Sequence, residues 1–156
     1  MRRELRGSMV FDAGVLIELL LSTHGGVLVR ERLIRGDLFG YVTELALVET
    51  RYVLCRRLGW EEASAKVEKL ALSGFIQVED LTPLCEKAAN YKCRMAIALP
   101  DCFTLSLAHM LSLPVLFARK ERELVKELER TSLEIEILFL DDFVKNTSIG
   151  KERNHC

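Results

Sequence analysis

The chain has 156 residues, 22 basic and 23 acidic, for a formal charge of −1; 49% of it is hydrophobic and 29% charged. This usage excludes a mainly disordered chain, a collagen-like repeat and a small disulfide scaffold, and it argues against holding nucleic acid by bulk positive charge. The length favours one domain with a sizeable core.

The longest apolar stretch, Val15–Ile17 with Leu19–Leu21, falls well short of the ~20 residues needed to cross a bilayer. Asp12 and Glu18 interrupt it, so export is not expected despite Arg2, Arg3 and Arg6 upstream. The five cysteines form no C-x-x-C pair and are expected as small core residues in a reducing cytoplasm. His24, His109 and His155 show no zinc-ligand spacing.

In chain order, Met9–Phe11 is an apolar run ending in Asp12 and reads as a buried strand. Ala13 to Ser22 turns helical, and Gly25 with Gly26 breaks the pattern. A second helix is expected over Val27–Arg35, then a strand at Phe39–Val42. Thr43 is an N-cap for a helix that runs to about Leu58 and ends at Gly59. Glu61–Ser73 is the next helix and Phe75–Val78 a short strand. Thr82-Pro83 signals a helix start, with proline at the first helical position, and that helix reaches about Arg94. Pro100-Asp101 opens a helix to Leu113. Val115–Ala118 is a buried strand, Glu121–Arg130 a helix and Ile135–Leu140 a last strand. Apolar strands alternating with helices predict a three-layer α/β/α fold around a largely parallel sheet, spanning residues 1–145. From about Asn146 to Cys156 the chain is polar and reads as a frayed tail.

In an open parallel sheet, ligands gather at the carboxyl ends of the strands. Asp12 directly follows the first strand, Glu121 follows Val115–Ala118 after Arg119-Lys120, and Asp101 begins a helix after Leu99-Pro100. Glu49 lies four residues from both Leu45 and Val53, so a stripe of Leu45, Val48, Tyr52 and Val53 would put it on the core side of its helix. A carboxylate there needs a partner or a metal. The alternatives are ordinary: a salt bridge from Glu49 to Arg56 or another arginine, an N-cap role for Asp101, and a first-turn role for Glu121.

Together these segments resemble a known family. Val10-Phe11-Asp12-Ala13-Gly14-Val15-Leu16-Ile17, Thr43-Glu44-Leu45-Ala46-Leu47-Val48-Glu49 and Leu99-Pro100-Asp101-Cys102-Phe103-Thr104-Leu105-Ser106-Leu107-Ala108 are similar, in order and spacing, to the three signature blocks of PIN domains, which include VapC-type toxin ribonucleases. The resemblance runs from about Met9 to Phe143. It implies that Asp12, Glu49 and Asp101 bind Mg²⁺ or Mn²⁺ for hydrolysis of RNA phosphodiester bonds. The family's fourth acid usually lies in a Thr-x-Asp turn; here Ala118 replaces the threonine and Glu121 fits if the turn is one residue longer, with Glu123 as a substitute.

Hard divalent cations take oxygen ligands, and clustered carboxylates without one would repel each other and RNA. Arg119, Lys120 and Arg122 beside the fourth acid could meet the phosphate backbone, or simply form a solvated turn. The resemblance further implies an antitoxin partner and a homodimer. Val27–Arg35 and Glu61–Ser73 are the candidate contact helices for the dimer. The alternatives are a housekeeping RNA-processing nuclease and a non-catalytic scaffold for RNA or protein.

A second aspartate two residues after Asp12, as a haloacid-dehalogenase-type phosphatase would need, is replaced by Gly14. A receiver domain would want an acidic pair near the chain start that is missing here. No glycine-rich nucleotide-binding motif follows a strand.

Overall fold

The structure, a computed structural model, describes residues 3–145; the tail expected from Asn146 lies outside them. Strand β1 (Gly7–Phe11) leads to helices α1 (Ala13–Leu21) and α2 (His24–Ile34). Next come β2 (Leu38–Thr43), α3 (Glu44–Leu58), α4 (Trp60–Ala71) and β3 (Ile76–Glu79). A 3₁₀ turn at Thr82–Leu84 precedes α5 (Cys85–Arg94) and α6 (Leu99–Leu111). Then β4 (Val115–Phe117), α7 (Arg122–Arg130) and β5 (Ile137–Phe139) follow.

The five strands form one parallel sheet in the order β3-β2-β1-β4-β5. Val10 is in register with Tyr41 on one side and Val115 on the other. Because strand side chains alternate faces, Met9, Phe11 and Leu116 join the core under α1 and α2, whereas Val10, Val115 and Phe117 join the core under α5 and α6. A third, smaller cluster of Leu54, Ala63 and Val67 ties α3 to α4. The expected three-layer α/β/α architecture is present.

Several local expectations are corrected. Gly25 and Gly26 do not break a helix: both lie in the first turn of α2, and the break is at Ser22, which adopts a left-handed conformation, and Thr23, which caps α2 by accepting from Gly26 N at 3.0 Å. A Cβ on Gly26 would collide with the Glu18 backbone carbonyl, so this glycine allows α2 to fold back across α1.

Thr82-Pro83 opens a 3₁₀ turn instead of capping α5, and the tight turn drops Leu84 fully into the core. On α3 the buried stripe is Ala46, Thr50 and Leu54, not the larger residues expected. Val48 and Tyr52 are 59% and 45% exposed. Small side chains let α3 approach its neighbours, and the buried Thr50 hydroxyl is satisfied by donating to Ala46 O at 2.7 Å. Thr43 does cap α3, accepting from Ala46 N at 3.0 Å. Of the cysteines, Cys102 is buried and Cys55 partly so, but Cys85 and Cys93 are exposed on α5, whose inner face is held by Ala88 and Tyr91.

Among the described residues no single helix is long and apolar enough to cross a membrane. The α1–α2 pair reaches the length only when its members are added together, and they meet at 93°.

Candidate active site

The sheet order reverses between β1 and β4, the strands that start one connection to β2 and end another from α6. Connections leaving such a point diverge and open a crevice at the carboxyl ends. Asp12 stands at the end of β1, Glu121 just beyond β4, and Asp101 in the first turn of α6. These three line one open cleft of about 210 Å³, together with Gly14, Ala118 and Arg119. Glu49, one turn into α3, is half-buried outside the cleft wall, yet its charge is felt by Asp101, and it in turn feels Asp12 and Glu121.

Local structure fixes two of these acids firmly. Asp12 is the N-cap of α1 and accepts from Gly14 N at 3.1 Å. The tight approach of Gly14 to Ala118, where an added Cβ would lie 3.0 Å from Ala118 Cβ, keeps the α1 start against the end of β4. Asp101 is not an N-cap: Ala98 holds that position, and Asp101 follows Pro100 in the first turn with no capping bond. Its carboxyl is therefore free to bond Asp12 across the cleft. Glu121 occupies the cap position of α7 without capping it, and its exposed side chain faces the cleft. Glu123 is exposed on the first turn of α7 and does not line the cleft.

The electrostatics are those of uncompensated negative charge. Burial pushes the Asp101 carboxyl up to about 8, helped by the charges of Asp12, Glu49 and Glu121 and by the bond to Asp12. Burial likewise raises Asp12, against the backbone N–H groups of Gly14 and Ala13 that pull it down. Burial, then Asp12 and Glu121, raise Glu49. The alternative of a salt bridge from Glu49 to Arg56 or another arginine is not formed: among the described residues no cation pairs with any of the four acids, and Arg56 lies over the Tyr52 ring instead.

The turn's cations are mostly engaged elsewhere. Lys120 pairs with Asp142 at 3.0 Å, and Arg119 Nη2 lies 3.6 Å from Glu18 Oε1. Arg122 is exposed.

Glu18 is a fifth acid in the cleft wall, which the sequence reading noted only as an interruption of an apolar stretch. Its side chain is 14% exposed and accepts from Thr23 Oγ1 at 3.3 Å. The signal was available: Glu18 is the lone charged residue of α1, four positions beyond the cleft-lining Gly14.

Among the described residues no three acidic, histidine or cysteine side chains form a ready-made metal shell. The donor chemistry nevertheless suits a hard divalent cation. All four donors are carboxylates, two of them in direct contact, and a proton between Asp12 and Asp101 relieves a repulsion that a cation would relieve more fully.

The PIN domain family model matches residues 9–127. No curated protein sequence matches the chain. Among solved structures, VapBC2 from Rickettsia felis bound to a DNA fragment from its promoter is similar at a TM-score of 0.62 and 12% identity, over 85% of this chain and 98% of that one. DNA-bound VapBC from Salmonella typhimurium is similar at 0.62 and 18%, over 88% and 99%. Mycobacterium tuberculosis VapC20, a Sarcin-Ricin loop cleaving toxin, is similar at 0.61 and 18%, over 76% and 94%. At these identities the likeness is one of fold.

Proposed function

Because this chain belongs to the PIN domain family, we propose that its acid cleft is the active site of a metal-dependent endoribonuclease, the toxin of a toxin–antitoxin pair. The observation that carries this reading is the gathering of Asp12, Asp101 and Glu121 in one crevice, with Glu49 beside it and, among the described residues, no cationic side chain paired with any of them. A stable fold keeps such repulsion at a cost in stability that function explains better than structure does. The toxin-type architecture of the similar structures, one of them a cleaving toxin, supports the same reading.

Asp12, Glu49, Asp101 and Glu121 would hold Mg²⁺ or Mn²⁺, which supplies Lewis acidity toward phosphate and lowers the pKa of water. The chain's own contribution is placement. The Gly14 N–H holds Asp12 in one orientation, and the rigid start of α6 presents Asp101 opposite it. Glu121, exposed and without a capping bond, reaches from the far wall. Arg119, 72% exposed and only loosely paired with Glu18, is within the cleft wall and available to a phosphate oxygen.

The partners in this reading are RNA, an antitoxin protein and a second copy of the chain, in the cytoplasm. Ile34 at the end of α2 and Leu72 after α4 are 59% and 87% exposed, which supports protein contact on the side formed by those helices. Light scattering at micromolar concentration should give a dimer mass; a monomer would remove the second copy from the reading.

Purified protein with Mn²⁺ should cleave RNA, and Asp12→Asn should not. Equal cleavage by the two proteins would overturn the proposal. RNA binding without cleavage by the wild type would favour the non-catalytic scaffold, whose supporting feature is Ala118 at the family's threonine position.

A further inference from the structure

The surface of α3 beyond Glu49 carries aromatic and basic residues that the acid cleft does not use. Positions 49, 52 and 56 share one face of the helix, at spacings of three and four. Tyr52 therefore follows Glu49 by one turn, and Arg56 lies over the Tyr52 ring with its guanidinium carbon 5.2 Å from the centroid. Across the bend at Gly59, Trp60 opens α4, 59% exposed, with the Arg51 guanidinium 5.9 Å from its ring centroid. Leu47, Val48, Arg51, Tyr52 and Trp60 enclose an open hollow of about 290 Å³. An apolar floor, two aromatic walls and a guanidinium at the rim are what an unpaired nucleobase requires: stacking surface for its ring and positive charge for its phosphate.

We propose that this hollow is a stacking platform for unpaired bases of the RNA strand whose scissile phosphate lies in the acid cleft, an inference that rests on the ribonuclease reading. Charge complementarity selects the occupant. The rings are flanked by Arg51 and Arg56, each with its guanidinium over an aromatic face, and a second copy meeting this patch through a twofold would bring the same positive charge to it. A strand of RNA brings one negative charge per nucleotide instead. Glu61 and Glu62, exposed just after Trp60, keep the phosphates on the α3 side, so the strand runs along α3 from the platform toward Glu49. The arrangement reads stacking rather than sequence, and so selects single-stranded over duplex RNA.

Trp60 is the one tryptophan in the chain, so its fluorescence reports on this hollow alone. Asp12→Asn protein in Mg²⁺ is titrated with an unstructured oligoribonucleotide of about ten nucleotides, within the reach of such platforms. Tryptophan emission and the anisotropy of an end-labelled copy of the RNA are read together. The expected result is quenching that tracks binding. Tyr52→Ala and Trp60→Ala should each weaken binding about tenfold, while Trp60→Phe, which keeps a ring, should restore it.

Binding by anisotropy with unchanged emission, or no binding at all, overturns the platform. So does an emission change driven by protein concentration alone alongside a dimer mass, which would show a second copy seated there. Cleavage by the wild type in Mn²⁺ is scored separately: quenching without cleavage keeps the platform and removes the nuclease reading, and cleavage without quenching does the reverse.

Discussion

Two groups of carboxylates in this protein are treated in opposite ways. On α7, Glu127 is buried at the helix's inner face, and both its partners are supplied: Arg130 Nη2 donates at 2.8 Å and the Ala96 backbone N–H at 3.2 Å. Those bonds hold its carboxyl below the usual carboxylate range. Across the molecule, Asp12, Glu49 and Asp101 are pushed the other way by burial and by one another, with Glu121 adding its charge. The lesson is that this chain pairs an inward-facing acid when the acid is structural. The cleft acids lack that provision, as the proposed site requires of acids whose partner comes from solution.

The sharpest way to break this contrast is to neutralise one member of each group. Asp12→Asn should lower RNA cleavage in Mn²⁺ by at least about a hundredfold, since it removes charge from the centre of the cluster. Asparagine can still accept from Gly14 N, so circular dichroism should show an intact fold. Glu127→Gln should leave cleavage near the wild-type rate but lower the melting temperature, because the Arg130 guanidinium loses its counter-charge.

Stability should respond to pH with opposite slopes from the two groups. Asp101 moves from 3.8 in the unfolded chain to about 8 in the fold. Its proton is held more tightly in the folded state, so its contribution is fully present below 3.8 and is lost as pH rises through about 8. Glu127 is lowered from 4.5, so its contribution is present above that value and is lost as pH falls through its folded pKa. Metal-free protein should therefore lose melting temperature as pH is raised from 5 to 8, and Asp101→Asn should flatten that slope. At pH 8, relief of about 1 kcal/mol of repulsion would raise the variant's melting temperature by about 2–4 °C. A wild-type profile that is level over this range would remove the uncompensated charge from the cleft.

The smallest effect is expected at Glu121. Its exposed side chain joins the cleft from the far wall, where a ligand to Mg²⁺ often acts through water. Glu121→Gln should weaken Mn²⁺ binding less than Asp12→Asn does. Unchanged affinity would reduce the cluster to three acids.

The fold was largely legible in the sequence because its strands are apolar runs bounded by glycine, proline or an acid. The failures came where close packing overruled local signals. Gly26 looks like a breaker, but it is the contact that lets α2 cross α1. On α3 the periodicity of large residues pointed to Val48 and Tyr52, whereas the inner stripe is Ala46, Thr50 and Leu54, small at its first two positions. A hydrophobic count weighs size; a helix squeezed between neighbours selects against it. Glu49 was thus placed near the other acids with the wrong stripe as its reason.

The capping alternative weighed for Asp101 is not realised, since proline at the second position of α6 moves the cap back to Ala98, and the cap role falls to Asp12 at α1, where the sequence showed only the end of a strand. The Glu18–Arg119 pair was invisible in sequence because it joins residues 101 positions apart, brought together only when β4 docks beside β1.

The most direct measurement is calorimetric titration of Mn²⁺ into the wild-type protein at pH 7, repeated in buffers of different ionisation enthalpy. With Asp101 held protonated up to about 8, binding should expel about one proton per cleft, and Asp12→Asn should abolish both the binding and the proton release. Mn²⁺ binding that releases no proton and survives Asp12→Asn would contradict the assignment of these carboxylates as a site completed by a cation.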